Sequence, residues 1–384
     1  MAVYLDNAAT TSISSEVLEA MMPYLTRIYG NPSSVHSFGR ESRKAVDKAR
    51  SQVAKSIGAS EREIYFTSCG TEADNWAIRG TAYAYAEKGR HIITDAIEHP
   101  AVLNCCRQLE KEGFQVTYLA VDRKGRISPE AVRNAVREDT VLVSVMAGNN
   151  EVGTLQPIRE IAAVAHEKGI LFHTDAVQAV GSIEIDVADM GIDMLSLSGH
   201  KLHAPKGIGA LYLRKGINIQ RLMYGGSQER GQRPGTENLA SIVGLGAAVE
   251  KAVCSLEERT GKIRNLRQRL EAEILCRVPG SYRNGPDDEA ERLPGILNIS
   301  FDGVSGESLL LCLDMRGVAV SSGSACTAGS LEPSHVLMAM GMEEKKAQAS
   351  IRYSLSDQNT LKDVEMAAEI TADVVERLRA AIDQ

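Results

Sequence analysis

The sequence predicts an α/β protein, with a large domain built on a mainly parallel seven-stranded sheet between helices and a smaller α+β domain. Two observations support this prediction. Between Glu63 and Leu213, short apolar and β-branched runs alternate with helical patterns, and such alternation is typical of a parallel sheet that helices cover on both faces. After about residue 239 long helical patterns dominate, and the length of 384 residues suffices for two domains.

Seven segments of the first part have the composition of strands. Helical patterns lie between several of them, such as PIREIAAVAHEKG, which closes with a glycine of the kind that ends helices. Ligands of such sheets bind beyond the carboxyl ends of the strands, so we expect functional residues to follow the strands directly. The predicted strands are EIYFTS (63–68), HIITD (91–95), QVTYLAV (115–121), VLVSVMAGN (141–149), ILFHTDA (170–176), DMLSLSG (193–199) and GALYLR (209–214).

The second part predicts a long helix from about Leu239 and another from about Gly261 to Cys276. The proline- and glycine-rich stretch RVPGSYRNGPDDEAERLPG follows, then a strand at ILNISF and helices at GESLLLCLDMRG and LKDVEMAAEITADVVERLRAAID. We expect residues 15–260 to form the large, ligand-binding domain. Residues 1–14 and 261–384 are expected to form the small domain, which contains Cys326.

Composition argues against several classes of protein. The formal net charge is −7 with both signs interspersed, so we predict no nucleic acid partner. The start, MAVYLDNAATT, does not have the pattern of a secretory signal, and no apolar run reaches membrane-spanning length. Seven cysteines without regular spacing fit a reducing cytosol, and we expect a cytoplasmic protein.

The adjacent Cys105 and Cys106 are the only close pair of cysteines in the sequence. No C-x-x-C or H-x-x-x-H spacing accompanies them, so we predict no metal site. The surrounding segment, AVLNCCRQLEKEG, has an amphipathic pattern. We therefore expect a helix with one of the two cysteines facing the core.

The segment YFTSCGTEADN predicts an anion site. A strand leads into Ser68, Cys69, Gly70 and Thr71 and then into a helix, so free backbone N–H groups and a hydroxyl point towards the strand's end, where a phosphate can bind. The alternative is an ordinary capping box formed by Thr71 and Asp74.

Two ionisable residues follow other strands of the same sheet. Asp175 in FHTDAVQAVG comes directly after an apolar strand, where a carboxylate requires a positive partner such as a protonated ring nitrogen. A helix N-cap is the alternative. Lys201 in LSLSGHKLHAPKG ends another strand. A partly desolvated lysine has a lowered pKa and can form an imine, although most lysines are simply solvated.

An anion site, a carboxylate and a lysine at one sheet edge together match the parts of a pyridoxal 5'-phosphate site. His99 in AIEHPAVL follows a strand and precedes a proline, so its ring could lie against the cofactor, with a capping or core histidine as the alternative. Gln178 and Asn150 could each reach the phenolic oxygen of the cofactor. The pair Asn149-Asn150 is also a common kind of turn former.

Over nearly its whole length the chain resembles the cysteine desulfurases, the NifS/IscS branch of the aminotransferase-like, fold type I pyridoxal phosphate enzymes. Many motifs in one fixed order make the resemblance highly specific. They are YLDNAATT, YGNPSSVHSFG, FTSCGTEADN, EHPAVL, NNEVGT, HTDAVQAVG, SGHKLHAPKGIG, RPGTEN, SSGSACTAGSLEPSHVL and IRYSLS.

The resemblance implies roles for the residues around the cofactor ring. Lys201 holds the cofactor as an imine, Asp175 pairs with the pyridine nitrogen, and His99 stacks on the ring. Asn150 and Gln178 flank the ring oxygen.

The resemblance also implies which residues hold the phosphate and the substrate. Arg352 of SIRYSLS binds the substrate carboxylate, with Asn31 of GNPSS and Asn150. Thr236 of RPGTEN reaches across a homodimer interface to the partner's phosphate. The chain's own phosphate is held by side chains that follow two strands, Thr71, Ser198 and His200.

The stretch VSSGSACTAGS places Cys326 among small residues, which suits a nucleophile on a moving loop better than a packed thiol. By the resemblance, Lys201 removes the Cα proton of L-cysteine and the Cys326 thiolate attacks the substrate sulfur. A persulfide and L-alanine result, and the sulfur passes to an acceptor protein, an iron–sulfur scaffold or another sulfur carrier. Cys69 is predicted to be a small filler.

Two other functions fit the same sequence. A selenocysteine lyase, or another pyridoxal phosphate-dependent C–S lyase, needs the same parts, whereas a non-catalytic sulfur carrier would not need Lys201 and Asp175. The sequence does not indicate whether the sulfur serves general iron–sulfur assembly, nitrogenase maturation or tRNA thiolation. It ends at Gln384, soon after the last helical pattern, so docking of an acceptor through a long C-terminal tail is not predicted.

Overall fold

The protein is described by a computed structural model that covers residues 2–322 and 333–382. Strands and helices are numbered separately along the chain. The strands are β1 Val3–Tyr4, β2 Ile64–Thr67, β3 His91–Asp95, β4 Gln115–Leu119, β5 Thr140–Ser144, β6 Leu171–Asp175, β7 Met194–Ser198, β8 Gly209–Leu213, β9 Ser281–Asn284, β10 Ile296–Phe301, β11 Val318–Ala319 and β12 Ser350–Ser354. The helices are α1 Ser15–Thr26, α2 Ser37–Ser56, α3 Gly70–Ala84, α4 Pro100–Lys111, α5 Pro129–Ala135, α6 Ile158–Glu167, α7 Leu239–Cys254, α8 Leu256–Arg277, α9 Gly306–Met315, α10 His335–Ala339, α11 Glu344–Gln348 and α12 Leu361–Ile382.

The central sheet has seven strands in the order β2-β8-β7-β6-β5-β3-β4. β8 runs antiparallel to both of its neighbours, β2 and β7. All other neighbouring strands pair in parallel. These are the strands that the sequence predicts, so the mainly parallel seven-stranded sheet is confirmed.

Helices cover both faces of this sheet. Successive strand residues point to opposite faces, and Ile92 and Ile93 accordingly enter different apolar clusters. Ile92 packs with residues of α3 and α4, whereas Ile93 belongs to the cluster built from α1, α2, α6 and α7. Since both faces are apolar, the strands read as continuous hydrophobic runs in the sequence.

The prediction that one of Cys105 and Cys106 faces the core is wrong, because both are buried, at 4% and 0% exposure. Their helix, α4, contacts α3 on one side and β4 on another. The buried arc of α4 is therefore wide enough to include two adjacent positions.

A separate apolar cluster lies in the C-terminal part of the chain. It joins Val3 and Leu5 to side chains of α8, β10, β12 and α12, and β1 pairs in parallel with β11. β9, β10 and β12 form an antiparallel sheet of three strands. The N-terminal residues thus pack against the C-terminal part, while the domain boundaries at 14/15 and 260/261 stay a prediction.

Several elements of this second part differ from the sequence-based expectation. α8 begins at Leu256 rather than at about Gly261, and Gly261 lies inside the helix with no atom within 4 Å of an added Cβ. β9 lies within the proline- and glycine-rich stretch, and β12 was not predicted as a strand. Both form through pairing with β10, and strand formation depends strongly on such tertiary context.

Within residues 2–322 and 333–382, no single helix has both the length and the apolar character needed to cross a membrane. In this described part of the chain, only α7 and α8 taken together meet that criterion of length and composition, and they are bent by 77° where they meet.

Candidate active site

A cavity of about 390 Å³ lies where the strands of the central sheet end. The first turns of α3 and α4 and the chain segments after β5, β6 and β7 surround it, as expected for a ligand site of a parallel sheet. Most residues that the sequence singles out meet here. Those that line the cavity are Gly70, Thr71, His99, Asn150, Asp175, Gln178, Ser198, His200, Lys201 and Arg352.

Three predicted residues are not among those that line this cavity. Thr236 is exposed and borders a smaller cavity near Arg233. Asn31 is also exposed, and its Oδ1 accepts a hydrogen bond from Ser33 N at 2.8 Å. Cys326 lies outside the residues that the structure describes.

Lys201 ends the short 3-10 turn that follows β7. Its Nζ donates hydrogen bonds to the carbonyl oxygens of Ala8, at 2.5 Å, and Ala9, at 2.8 Å. Both carbonyls belong to the N-terminal segment, which forms part of the cavity wall. The side chains of Ala8 and Ala9 contain no signal for this role, although their motif, YLDNAATT, is among those that support the family resemblance.

Asp175 is the last residue of β6 and is 6% exposed. Its Oδ1 accepts a hydrogen bond from Val177 N at 2.9 Å, and turns rather than a helix follow, so the helix N-cap alternative is wrong. Burial raises the pKa of Asp175, while the neighbouring imidazole of His99, the main-chain N–H of Val177 and the charge of Lys201 oppose that rise. A cationic ring nitrogen in the cavity would stabilise the carboxylate further.

His99 combines the two roles that the sequence left open. It is the N-cap of α4, because its Nδ1 accepts a hydrogen bond from Ala101 N at 3.1 Å, and its ring also lines the cavity. Burial lowers the pKa of His99, so the ring is neutral near pH 7. With Nδ1 acting as an acceptor, the ring proton is on Nε2.

The capping box expected for Thr71 and Asp74 does not form. Instead Glu72 Oε2 accepts a hydrogen bond from Ser68 N at 2.7 Å, and Arg233 Nε donates to Glu72 Oε1 at 2.8 Å. Asp74 is buried, at 1% exposure, and lines the cavity. The first turn of α3 therefore faces the cavity through Gly70 and Thr71.

The end of the cavity at α3 fits a phosphate. Ser198 Oγ is buried and has no hydrogen-bond partner in the described part of the chain, so it can donate to a bound oxyanion. A Cβ on Gly70 would lie 2.7 Å from Val177 Cγ2 and 3.6 Å from Ser198 Cβ. The start of α3 therefore lies close to the end of β7. Burial is the main cause that lowers the pKa of His200 to about 4, so its ring acts as a neutral partner.

A buried polar network behind Asp175 was missed by sequence reasoning. His173 lies on the same face of β6 as Asp175; its Nδ1 is 2.8 Å from Ser144 Oγ and its Nε2 is 3.0 Å from Ser196 Oγ. Asp74 Oδ1 lies 3.8 Å from His173 Nε2. Burial lowers the pKa of His173 to about 3 and, together with the charge of Asp175, raises that of Asp74 well above its usual value.

The spacing His-x-Asp in HTDAVQ is a signal that could have identified His173, because residues two apart on a strand share a face. Asp74 could not be identified in this way, since only the packing of α3 on the sheet brings it to β6.

Arg352 forms the opposite wall of the cavity, from the middle of β12. Its side chain is 3% exposed, with one guanidinium nitrogen 2.9 Å from Asp6 Oδ1 and another 3.0 Å from the Asn150 carbonyl oxygen. Neighbouring Asn149 is the turn former of the asparagine pair, because its Oδ1 accepts from the main-chain N–H of Glu151 at 2.9 Å. Arg352 is thus a buried cation that can receive a carboxylate.

No group of three or more His, Cys, Asp or Glu side chains that could hold a metal ion occurs among the residues described. Cys69 lines the cavity as the N-cap residue of α3, with its Sγ 3.6 Å from Ser68 Oγ. Its predicted role as a filler stays a prediction.

Comparison with known proteins agrees with this site. The Aminotransferase class-V family model matches residues 3–366. A cysteine desulfurase IscS of Clostridium botulinum (strain Hall) is 52% identical over 377 residues, covering 98% of this chain and 95% of that protein. A cysteine desulfurase IscS of Methanosarcina thermophila is also 52% identical, over 378 residues, with 98% and 93% covered.

Solved structures give the same result. A NifS-like protein, 40% identical, superimposes with a TM-score of 0.93 over 98% of this chain and 100% of that chain. A structure of SspA in complex with cysteine, also 40% identical, gives a TM-score of 0.82 over 93% of this chain and 100% of that chain. The chain therefore belongs to the aminotransferase class-V family and, within it, to the cysteine desulfurases.

Proposed function

We propose that this protein removes sulfur from L-cysteine with pyridoxal phosphate as cofactor, forms L-alanine, and holds the sulfur as a persulfide on Cys326. The observation that supports the proposal is that Lys201, Asp175, His99 and Arg352 line one cavity. Pyridoxal phosphate, when bound, supplies an electron sink that makes the Cα proton of an amino acid acidic.

Several residues would hold the cofactor. Gly70, Thr71, Ser198 and His200 would hold its phosphate, and the Asp175 carboxylate would keep a proton on the pyridine nitrogen. The buried network of His173 and Asp74 packs behind Asp175. Because His173 and Asp74 are both neutral, the negative charge beside Lys201 and His99 is on Asp175.

The chain's own residues then bind the substrate and move its proton. The buried guanidinium of Arg352 receives the substrate carboxylate, in exchange for part of its contact with Asp6. Lys201 takes the Cα proton at Nζ, and its two carbonyl partners, Ala8 and Ala9, hold the amine at the cavity wall. His99 can donate a proton from Nε2, because Nδ1 is engaged by the main chain.

Residues on either side of segment 323–332 are held at or next to the cavity wall, since Arg352 lines the cavity and Glu151 follows the lining residue Asn150, which supports delivery of Cys326. Ser321 pairs with Arg352 through main-chain hydrogen bonds of 2.7 and 3.1 Å, and Ser334 Oγ donates to Glu151 Oε2 at 2.5 Å. Cys326 follows Ser321 by five residues in the sequence. At ~3.5 Å per residue its reach from Ser321 is at most about 17 Å.

The decisive experiment compares the holoenzyme with Cys326→Ala and Lys201→Ala variants on L-cysteine and on L-selenocysteine. We expect alanine formation from L-cysteine to collapse in both variants. Selenocysteine cleavage should continue in Cys326→Ala, because it does not need an attacking thiol, and stop in Lys201→Ala. Undiminished alanine formation from L-cysteine by Cys326→Ala would contradict the proposal and favour a different C–S lyase. A wild-type protein that stays colourless with added pyridoxal phosphate would instead indicate a non-catalytic carrier.

We also propose a homodimer in which Thr236 reaches the partner's phosphate. An exposed apolar patch supports this, formed by α1, the start of α2 and the residues between them, and its aromatic members Tyr29 and Phe38 lie with ring centroids 6.1 Å apart. Patches of this kind commonly mark protein interfaces. The apolar side chains of the patch are Leu18, Met22, Leu25, Tyr29, Val35 and Phe38.

Sedimentation of the wild-type protein and of Phe38→Glu tests the dimer. We expect a dimeric wild type and a variant that dissociates and retains pyridoxal phosphate poorly, because it loses the partner's Thr236. A wild-type monomer with full activity would contradict the proposal.

The destination of the sulfur is a separate proposal. We propose that Cys326 hands its sulfur, in the cytoplasm, to an acceptor protein for iron–sulfur cluster or thio-cofactor synthesis. Incubation of the persulfidated enzyme with an apo iron–sulfur scaffold should transfer labelled sulfur to scaffold cysteines. Retention of all label on the enzyme would exclude that acceptor.

A further inference from the structure

A second cavity, of about 60 Å³, lies on the far side of Lys201 and is called the rear cavity here; Lys201, Gln178, His203 and Arg259 are among its lining residues. Ala8, Gln178 and Lys201 line both the rear cavity and the active-site cavity, so they separate the two. Gln178 Nε2 donates to the Ala8 carbonyl at 3.0 Å, and Lys201 Nζ donates to the same oxygen at 2.5 Å. The amine of Lys201 therefore lies at the boundary between two spaces.

The rear cavity leads towards solvent. His203 and Arg259 line both the rear cavity and a third, outer cavity of about 250 Å³. The outer cavity is bordered by the exposed residues Ser15 and Lys251. A continuous series thus leads from the active site to the surface, through Lys201, the rear cavity, His203 and the outer cavity.

The chemistry of the rear cavity requires water. Arg259 Nε and one of its terminal nitrogens are buried without a hydrogen-bond partner in the described chain, and buried guanidinium N–H groups need acceptors. A water molecule takes about 30 Å³, so the cavity has room for about two. Polar side chains of Asn7 and Ser182 on its wall offer further partners.

The backbone of His203 has an unusual conformation, which fixes the ring between the rear cavity and the outer cavity. Its φ is 60°, a value that non-glycine residues seldom adopt and that often marks functional sites. Two main-chain hydrogen bonds hold it there. His203 N donates to Thr11 Oγ1 at 3.0 Å, and Ser14 N donates to the His203 carbonyl at 3.1 Å.

The ring of His203 has one nitrogen that can take up a proton. Nδ1 lies 3.0 Å from the Ser12 carbonyl oxygen and 3.2 Å from Gln358 Nε2. The carbonyl oxygen can only accept, so when Nδ1 donates to it, Nε2 has the lone pair. Nε2 is 3.6 Å from Asp357 Oδ1, a carboxylate that would stabilise a transient imidazolium. The charged groups around this ring are Asp357, Arg259 and Lys251.

We propose that the rear cavity and His203 form a water-filled proton path between the amine of Lys201 and solvent. The path rests on the proposed role of Lys201 as the group that takes the Cα proton. The Lys201 ammonium loses one proton to a water of the rear cavity, His203 Nε2 takes up a proton from that water, and Nε2 releases it to water of the outer cavity. Each N–H or O–H bond that breaks is matched by one that forms, and no electrons are transferred. The amine can then exchange protons with solvent without passing them through the substrate cavity.

Exchange of the Cα proton of L-alanine with D2O, followed by NMR on the holoenzyme, tests this path. L-Alanine has no sulfur, so Cys326 plays no part. The test variant is His203→Asn, because asparagine tolerates the positive φ but cannot relay a proton. His166→Asn is the matched control, since His166 also pairs with an aspartate, Asp193, at 3.0 Å, and lines none of the three cavities.

We expect exchange to fall on the order of 10²-fold in His203→Asn, the lower end of what a lost proton-transfer group costs, and to stay unchanged in His166→Asn. The absorption band of bound pyridoxal phosphate should be the same in both. A second variant, Ser182→Leu, fills the rear cavity from its wall and should slow exchange to a similar extent.

Exchange at the wild-type rate in both His203→Asn and Ser182→Leu would overturn the path and leave the proposed function intact. Absence of any exchange in the wild type would instead overturn the role of Lys201, and the path with it. A crystal structure of the holoenzyme provides a readout independent of turnover. Ordered water between Lys201 and His203 is expected, and a dry rear cavity would contradict the proposal.

Discussion

Replacement of Gly70 by alanine tests whether the first turn of α3 is shaped for a phosphate. A Cβ at this position would lie 2.7 Å from Val177 Cγ2, below the 3.0 Å that real Cβ atoms essentially never go under. Val177 lines the same cavity, so the new methyl group can fit only if Val177 moves, which changes the wall of the space that the cofactor needs.

The magnitude follows from this contact. Overpacking of a tight site costs about 1–3 kcal/mol, and every 1.4 kcal/mol is about tenfold in affinity. We therefore expect Gly70→Ala to weaken pyridoxal phosphate binding about 5- to 150-fold, measured by titration of the apoprotein and its absorption band. Gly261→Ala is the matched control, because nothing lies within 4 Å of its added methyl group. It should leave cofactor affinity unchanged and stabilise α8 by about 0.5–1 kcal/mol.

The double variant Gly70→Ala/Val177→Ala distinguishes the clash from other effects. Truncation of Val177 removes the Cγ2 atom that the new methyl group meets, so most of the lost affinity should return. The reasoning is refuted if Gly70→Ala binds the cofactor as tightly as the wild type, or if the double variant binds no better than Gly70→Ala alone.

Three further predictions follow from buried charges. Burial raises the pKa of Glu151 from 4.5 to about 7, so the native state holds a proton that the unfolded state releases. Glu151→Gln should therefore be neutral near pH 4 and stabilising by roughly 3 kcal/mol at pH 8 in urea unfolding, unlike the exposed control Glu19→Gln. Arg352→Lys should raise KM for L-cysteine about 10²-fold in steady-state kinetics while cofactor affinity is kept, because an ammonium cannot replace a planar guanidinium. Glu229→Gln weakens a pair of 2.7 Å contacts to Arg50 and should cost about 3–5 kcal/mol in denaturant unfolding; an unchanged midpoint would contradict this.

Much of the fold could be predicted because the physics is local. A strand that is buried on both faces reads as an apolar, β-branched run, and seven such runs in alternation with helices specify the parallel sheet. The position of the cavity then follows from topology, since residues after parallel strands meet at one edge. That is why His99, Asp175 and Lys201, far apart in sequence, line one space.

The remaining features depend on tertiary contacts that leave no local signal. The partners of Lys201 are the main-chain carbonyls of Ala8 and Ala9, and any residue type supplies a carbonyl. Asp74 has the sequence appearance of a capping residue, and only the packing of α3 shows that it lies beside His173. β9 forms inside a stretch of turn residues because β10 supplies the missing hydrogen bonds.

A residue whose implied role needs a partner subunit cannot be tested by the fold of one chain. The role implied for Thr236 involves the phosphate of a partner subunit, so one chain does not bring it to its own cavity. Asn31 is exposed away from the cavity in the same way, and its implied contact with substrate stays a prediction.

The mass of the peptide that contains Cys326, taken from holoenzyme after a single exposure to L-cysteine and alkylation, tests the central claim most directly. The account predicts one added sulfur atom on that peptide, in amounts equal to the alanine formed, and no added sulfur in Lys201→Ala. Formation of alanine while the Cys326 peptide keeps its unmodified mass would contradict it.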